Sequence, residues 1–262
     1  MWMNYAALLS LVPAALLLIR PRAQRDGVTW SLLLVAVMGP ASLVAVQNAG
    51  GWQPSLSGAI WVSVAASMML FAVIAALNDS AWRLLPLLAA YCLLLGLVAT
   101  LFGAVPREAL PAAPSPAWLD LHIAMSVATY GLATIAAVAD FAGWLQGRAL
   151  KRRRSTAFLQ SLPPVADGER LLRGLLGGAE IVLGIGVVSG MATQYLMSGR
   201  LLVLDHKTAF SLLAFAVIGA LLLLHWRTGL RGRRATGFVL TAYGLLTLAY
   251  PGVKFVRDVL LS

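Results

Sequence analysis

The chain has little charge and almost no cysteine for a protein of its length. Only 11% of its 262 residues are charged while 60% are hydrophobic, and a soluble domain of this size needs a far more charged surface. The composition therefore excludes that class and favours a polytopic membrane protein. The one cysteine, Cys92, excludes a disulfide framework and any Cys-x-x-Cys redox or zinc site. Because Cys92 lies in an apolar run, we expect it to be a packing residue.

The net charge of +10 does not indicate nucleic-acid binding. The basic residues cluster at the ends of apolar runs, as membrane topology requires, so the expected partner is the lipid bilayer. The basic segment 148–154 is expected to anchor the topology, with binding to anionic lipid or to a partner protein as the alternative. No basic residue precedes the first apolar run, which is therefore expected to be a retained helix and not a signal peptide.

Long apolar runs are what the sequence has in abundance. Eight of them are long enough to cross about 30 Å of hydrocarbon, and each should be helical because lipid offers no partner to backbone polar groups. They lie at about 3–19, 29–48, 57–77, 84–104, 117–145, 175–198, 207–226 and 236–260. The expected fold is all-α, a single integral membrane domain 1–262 with eight transmembrane helices. Four of these lie within 1–104 and four within 117–260.

The distribution of Lys and Arg predicts the orientation of the bundle. The connections after helices one, three, five and seven hold 15 of these residues, and the opposite side with the C-terminus holds 5. Basic residues are in excess in cytoplasmic loops, so both termini are predicted to face outward. The longest cytoplasmic connection, 155–173, contains Pro163 and Pro164 and is expected to form a short interfacial helix and a turn.

The sequence has only three histidines, and each lies within or beside an apolar run. Ionisable groups at membrane depth are costly, which makes His122, His206 and His225 functional candidates. His122 and His206 both fall at the outer face. His225 follows His206 by nineteen residues, about 28 Å along a helix, so it is expected to belong to a separate inner site.

Two imidazoles at one depth suit two chemistries. They fit an iron porphyrin with two axial histidines, or a divalent metal site in which Asp120 and Asp205 join His122 and His206. The porphyrin needs an apolar slot between helices, which a bundle supplies. The third interpretation is a pair of interfacial histidines that only contact water and their neighbours.

Further polar residues extend this candidate site. Ser126 and Tyr130 follow His122 at i+4 and i+8, with Thr129 beside them, so their hydroxyls should face the bundle. Their hydroxyls either orient the His122 ring through a hydrogen bond or only form hydrogen bonds that join helices.

Glycines and acids within the spans suggest two further roles. Gly184, Gly186 and Gly190 predict close helix packing, or the passage of a flat ligand beside the backbone. Asp140 and Glu180, at the depth of His225, are expected to form a cytoplasmic-side polar cluster with Arg residues or with His225, which is either a structural ion pair or part of a proton or ligand path.

The C-terminal half, from about 118 to 260, resembles the cytochrome c assembly family of the CcsA and CcmC type, which are membrane proteins that handle haem. It is most similar to the small eight-helix branch of YpjD-like and HemX-like proteins of the bacterial inner membrane. The matching stretches are WLDLHIAMSVATYG at 118–131, LGIGVVSGMA at 183–192, HKTAFSLLAFAVIGALLLLHWRTGLRGRRAT at 206–236 and AYPGVKF at 249–255. The resemblance implies a non-covalent b-type haem, His122 as an external haem ligand, His225 as an in-membrane histidine, and cytochrome-maturation proteins as partners.

The chain departs from that family at its tryptophan-rich segment. The corresponding region, YLMSGRLLVLDHKT at 195–208, has no tryptophan, and the family's second external histidine is missing near the C-terminus. His206 is therefore expected to supply the missing axial ligand. Lys207 is expected to pair with a haem propionate or to extend to the interface.

The expected function is haem binding in cytochrome c assembly, without catalysis. A regulator of haem synthesis or an accessory subunit of a transporter is the alternative. A transporter or an enzyme is less favoured, since the sequence has neither inverted repeats nor a nucleophile–base motif.

Overall fold

The computed structural model describes residues 2–19, 25–49, 55–103, 117–153, 156–200, 204–229 and 232–256. Within these ranges the protein is all-α and contains no β-strand, as predicted. Arg154 of the predicted basic anchor and the predicted helix ends at 104 and 260 lie outside the described residues.

The described helices follow the predicted apolar runs. They are α1 (Trp2–Leu16), α2 (Gly27–Asn48), α3 (Leu56–Leu77), a 3₁₀ turn (Ala81–Leu84) that leads into α4 (Leu85–Leu101), α5 (Ala117–Lys151), α6 (Ala157–Ser161), α7 (Val165–Ser198), α8 (His206–Thr228), α9 (Arg233–Thr247), a π-helical turn (Leu248–Gly252) and α10 (Val253–Phe255). Seven helical segments in the described part are long and apolar enough to span a membrane, and α1 is a shorter apolar helix. The chain is thus a polytopic helical membrane protein.

Local sequence sets several helix ends. The side chains of Asp26, Ser55 and Asp205 each accept a backbone N–H in the first turn of α2, α3 and α8, at 2.8, 3.0 and 2.8 Å respectively. Such caps satisfy donors that have no partner within the helix. At its other end α8 stops at Gly229, whose φ of 64° suits glycine.

Two helices are longer than predicted. The predicted spans end at 145 and begin at 175, whereas α5 continues to Lys151 and α7 begins at Val165. The added segment of α7 includes the good helix formers 169–173, which are not uniformly apolar, and prolines 163 and 164 stop the helix from beginning earlier. The short helix α6, capped by Thr156, agrees with the helix expected in the 155–173 connection.

The chain forms two compact units. The first comprises Met1–Pro111 and Val138–Leu172, and the second comprises Ala112–Ala137 and Arg173–Ser262. Two of the three boundaries between the units fall within the long helices α5 and α7, which contain 35 and 34 residues and measure about 50 Å each. The organisation as one membrane domain remains a prediction.

The first unit has a dense apolar core. Helix α1 packs against α2 and α4, and α3 packs against the same two helices. Trp61, Met68 and Phe71 of α3 are fully buried, and so is Cys92 of α4, which agrees with a packing role. Gly96 makes room for the large indole, because a Cβ at that position would lie 2.9 Å from the Trp61 ring.

Candidate functional site

The second unit holds a cavity of about 230 Å³ between α5, α7 and α8. Each helix contributes residues spaced three or four apart, which places them on one face of that helix. The lining residues are His122, Ser126 and Thr129 of α5, Leu183, Gly186, Val187, Gly190, Met191 and Gln194 of α7, and Asp205, Lys207, Thr208, Ser211 and Leu212 at the start of α8. The cavity therefore has both apolar walls and several hydroxyl groups.

His122 is held in one orientation by the backbone of α7. Its Nδ1 lies 2.8 Å from the Gly186 carbonyl oxygen. A carbonyl oxygen only accepts hydrogen bonds, so Nδ1 carries the proton and donates it. The proton-free Nε2 is then left with a lone pair for a ligand, which is the usual arrangement of a metal-bound histidine.

Glycine at position 190 gives the His122 ring its space. A Cβ built on Gly190 would lie 2.9 Å from His122 Cε1 and 3.0 Å from Nδ1. At Gly186 a Cβ would be 3.5 Å from Met125 Cβ, which is an ordinary contact. The close helix approach expected from the glycine pattern is therefore required most strictly at Gly190.

Thr129 brings an unpartnered hydroxyl to the cavity. The residue is 1% exposed, and its Oγ1 finds no hydrogen-bond partner in the described part of the chain. Leaving a buried hydroxyl without a partner costs free energy, so a polar group of a bound ligand is the expected partner. Ser126, one turn away, lines the same cavity.

Tyr130 has its contacts on another helix. Its hydroxyl lies 3.2 Å from that of Tyr243 and 3.4 Å from Thr247 Oγ1, both on α9, and Tyr130 is not among the residues that line the cavity. Thr134, one turn further on α5, also reaches the Tyr243 hydroxyl at 3.4 Å. These hydroxyls join α5 to α9, a cluster that the sequence pattern did not reveal.

Charged residues mark the solvent end of the cavity. Asp205 and Lys207 are exposed and lie on its lining, whereas His206 is exposed and does not. Burial opposes ionisation of the Asp205 carboxyl, but hydrogen bonds from Thr208 and the charges of His206 and Lys207 outweigh it and lower its pKa. Asp205 is thus an ionised cap at neutral pH.

The remaining predicted residues do not line this cavity. His225 lies near the far end of α8, about 28 Å from His206 along one uninterrupted helix. Asp140 belongs to the first unit and Glu180 to the second. Asp120 is exposed in the first turn of α5, and across the described ranges no group of three or more His, Cys, Asp and Glu side chains is arranged to hold a metal ion.

Known proteins similar to this chain are membrane proteins or are uncharacterized. The profile of the family described as Cytochrome C assembly protein matches residues 26–261. An uncharacterized 28.8 kDa protein of the nifR3-like 5′ region of Azospirillum brasilense is 51% identical over 238 residues, which cover 91% of this chain and 88% of that protein. The inner membrane protein YpjD of Escherichia coli K12 is 28% identical over 199 residues, covering 74% of this chain and 72% of YpjD. No solved structure matches the chain.

Proposed function

Because the chain belongs to the cytochrome c assembly protein family, we propose that it binds haem at the His122 cavity and handles it during cytochrome maturation. The observation that supports this most directly is the His122 ring, whose Nδ1 is held by the Gly186 carbonyl. Haem supplies an iron that accepts nitrogen ligands and a flat ring that carries two carboxylates. The proposal assigns binding and transfer to this chain, without a catalytic step.

His122 is the proposed axial ligand through Nε2. The hydrogen bond from Nδ1 to Gly186 fixes the tautomer and the ring orientation, which raises the basicity of the coordinating nitrogen. Gly190 keeps the ring in place by leaving no Cβ against it. The cofactor is therefore proposed as a non-covalent b-type haem, since the chain offers no cysteine at this cavity.

The charges and walls of the cavity suit the propionates and the flat apolar ring of haem. Lys207 offers an ammonium group at the solvent end, where it can pair with a propionate. Leu183, Val187 and Leu212 provide apolar walls. The volume of about 230 Å³ lies below the roughly 300–1,000 Å³ of pockets that enclose a small-molecule ligand, and incomplete enclosure favours release to a partner over permanent retention.

His206 is the proposed second axial ligand. It begins α8 next to Lys207, but its exposed side chain lies outside the cavity lining. Coordination therefore requires a rotation of His206 toward the cavity, whereas His122 is already in place. The two single variants are expected to differ for this reason, with the larger loss of affinity in His122→Ala.

The proposed setting is the bacterial inner membrane, which is where the relative YpjD resides. The 15 to 5 distribution of basic residues supports periplasmic termini and a periplasmic cavity. Proteins of cytochrome maturation in that membrane are the proposed partners.

Haem titration of the detergent-purified protein tests this function. The wild type is expected to develop a Soret band, and His122→Ala to weaken the affinity for haem by at least about tenfold. His206→Ala is expected to convert a six-coordinate spectrum to a five-coordinate one. His225→Ala removes the histidine expected to belong to a separate inner site at the other end of α8, so it should leave binding at the His122 cavity unchanged.

The proposal predicts that the spectrum and affinity depend on His122 and not on His225. An unchanged affinity in His122→Ala would contradict it. So would a wild-type protein that develops no Soret band after haem is added.

A further inference from the structure

Glu180 is a carboxyl group in the middle of a membrane-spanning helix. Its Oε2 is buried, and it has no hydrogen-bond partner among the residues that the structure describes. The carboxyl reaches across to α8, since a Cβ on Gly219 would lie 2.9 Å from Oε1. An ionised carboxylate without a partner is costly in such surroundings, and intramembrane carboxyl groups commonly bind protons or ions.

Glu180 continues the face of α7 that lines the His122 cavity. It precedes the lining residue Leu183 by three positions, about 4.5 Å along the helix axis, and so lies on the same face. On α8, Gly219 lies seven residues beyond the lining residue Leu212, again on one face. The contact of Glu180 with Gly219 therefore lies directly beneath the inner end of the cavity.

The cavity provides a polar route toward this carboxyl. The hydroxyl of Thr129 is buried and unpartnered within the described structure, and Ser126 lies one turn closer to the solvent end. A cavity of about 230 Å³ admits several water molecules of about 30 Å³ each. Water and hydroxyl groups can therefore carry a proton from the solvent end to within about one helical turn of Glu180.

We propose that Glu180 is a proton-binding site within the membrane, loaded from the outer side through the His122 cavity. On loading, a hydronium ion in the cavity transfers a proton to a carboxylate oxygen of Glu180, which forms the O–H bond and leaves water. Release is the reverse transfer, and no electron moves in either direction. The neutral acid is the form that the apolar surroundings favour.

Other titratable groups are separated from Glu180 along the helices. His122 contacts α7 at Gly186, six residues toward the outer end. On α8, His225 lies six residues beyond Gly219, about 9 Å, and the charged residues at 205–207 lie at least twelve residues before it, about 18 Å. Proton binding is thus assigned to Glu180 itself. Proton binding at this carboxyl through the cavity does not require haem.

Carbodiimide labelling of the haem-free protein in liposomes tests the site. An apolar carbodiimide such as dicyclohexylcarbodiimide enters lipid and modifies protonated carboxyl groups, and mass spectrometry identifies the peptide. We expect labelling of Glu180 that decreases as the pH rises, and complete loss of that label in Glu180→Gln. Glu169→Gln, which removes a carboxyl group near the start of α7, is the control and should leave the Glu180 label intact.

The route of access is tested by filling the inner end of the cavity. Leu183→Trp is expected to slow the response of Glu180 labelling to a pH change on the outer side. Ile181→Trp introduces the same side chain at a position that is 67% exposed and should leave that response unchanged. Absence of Glu180 labelling at acid pH would overturn the proton site, and a response only to pH on the inner side would overturn the access route.

These tests separate the proton site from the haem proposal. Both use protein without haem, so a chain that labels at Glu180 and binds no haem retains the proton site alone. Conversely, a protein that binds haem but is never labelled at Glu180 would support the haem site and contradict the proton site.

Discussion

His122 Nδ1 lies 2.8 Å from the carbonyl oxygen of Gly186, so a residue of α5 is oriented by the backbone of α7. The two residues are 64 positions apart in the sequence. A helix backbone is a rigid support, and the ring that it holds needs little further ordering when a ligand binds. This contact makes His122 a preorganised ring.

Gly190→Ala is predicted to displace the His122 ring. The new methyl group would lie 2.9 Å from Cε1, closer than atoms can pack, so the ring or the helix must shift. Haem affinity and the position of the Soret band should change, and stability should fall by about 1–3 kcal/mol through overpacking. Thermal unfolding and haem titration in detergent measure both effects.

Gly177→Ala is the control for that substitution. Among the residues that the structure describes, no atom outside the local helix lies within 4 Å of the position that a Cβ would take there, and alanine is favoured over glycine within a helix by up to about 1 kcal/mol. This variant should keep the wild-type spectrum and be equally or more stable. Equal losses in both variants would show that the effect at 190 is not due to the ring.

Thr129→Val is predicted to stabilise the haem-free protein. The substitution preserves shape and removes a buried hydroxyl that lacks a partner in the described chain, a defect that costs about 1–3 kcal/mol. Thr134→Val is the contrasting variant, because Thr134 Oγ1 donates to the Tyr130 carbonyl at 2.8 Å. This variant should lower the free energy of unfolding by about 1 kcal/mol. In thermal unfolding, Thr129→Val is therefore expected to raise the unfolding temperature and Thr134→Val to lower it.

Asp205→Ala is predicted to destabilise the start of α8 by about 1 kcal/mol, through loss of the cap on Thr208. The folded-state pKa of Asp205 is lowered, so its contribution is complete above the unfolded value of about 3.9. That contribution disappears as the pH falls through the lower folded-state pKa. The difference in unfolding temperature between wild type and Asp205→Ala should therefore shrink on acidification. In Asp205→Asn the amide oxygen should still cap α8, and the contribution of this cap should not depend on pH.

Tyr130→Phe is predicted to weaken the contact between α5 and α9 while leaving the haem spectrum unchanged. The variant removes a hydroxyl that lies 3.2 Å from Tyr243 and 3.4 Å from Thr247, and the expected cost is about 1 kcal/mol. Thermal unfolding and the Soret band report the two properties separately. A shifted Soret band would instead support the sequence-based expectation that Tyr130 orients His122.

The helices of this protein could be predicted from its amino-acid sequence alone. Hydropathy placed α2 and α3 within two residues of their observed bounds, Gly27–Asn48 and Leu56–Leu77. Both membrane insertion and helix formation depend on neighbouring residues, so a local pattern is sufficient. The same pattern missed the start of α7 at Val165, because that segment is helical without being apolar enough to span a membrane. The sequence also indicated His122, Ser126 and Lys207, which do line one cavity.

Which helix faces meet could be learned only from the folded chain. Folding brought His122 against Gly186 and Gly190, turned Tyr130 toward α9, and left the hydroxyl of Thr129 inside the cavity without a partner in the described chain. It also placed Glu180 against a glycine of α8. Such contacts depend on the rotation and depth of each helix relative to its neighbours. Hydropathy carries no record of either, because lipid accepts any apolar face equally well.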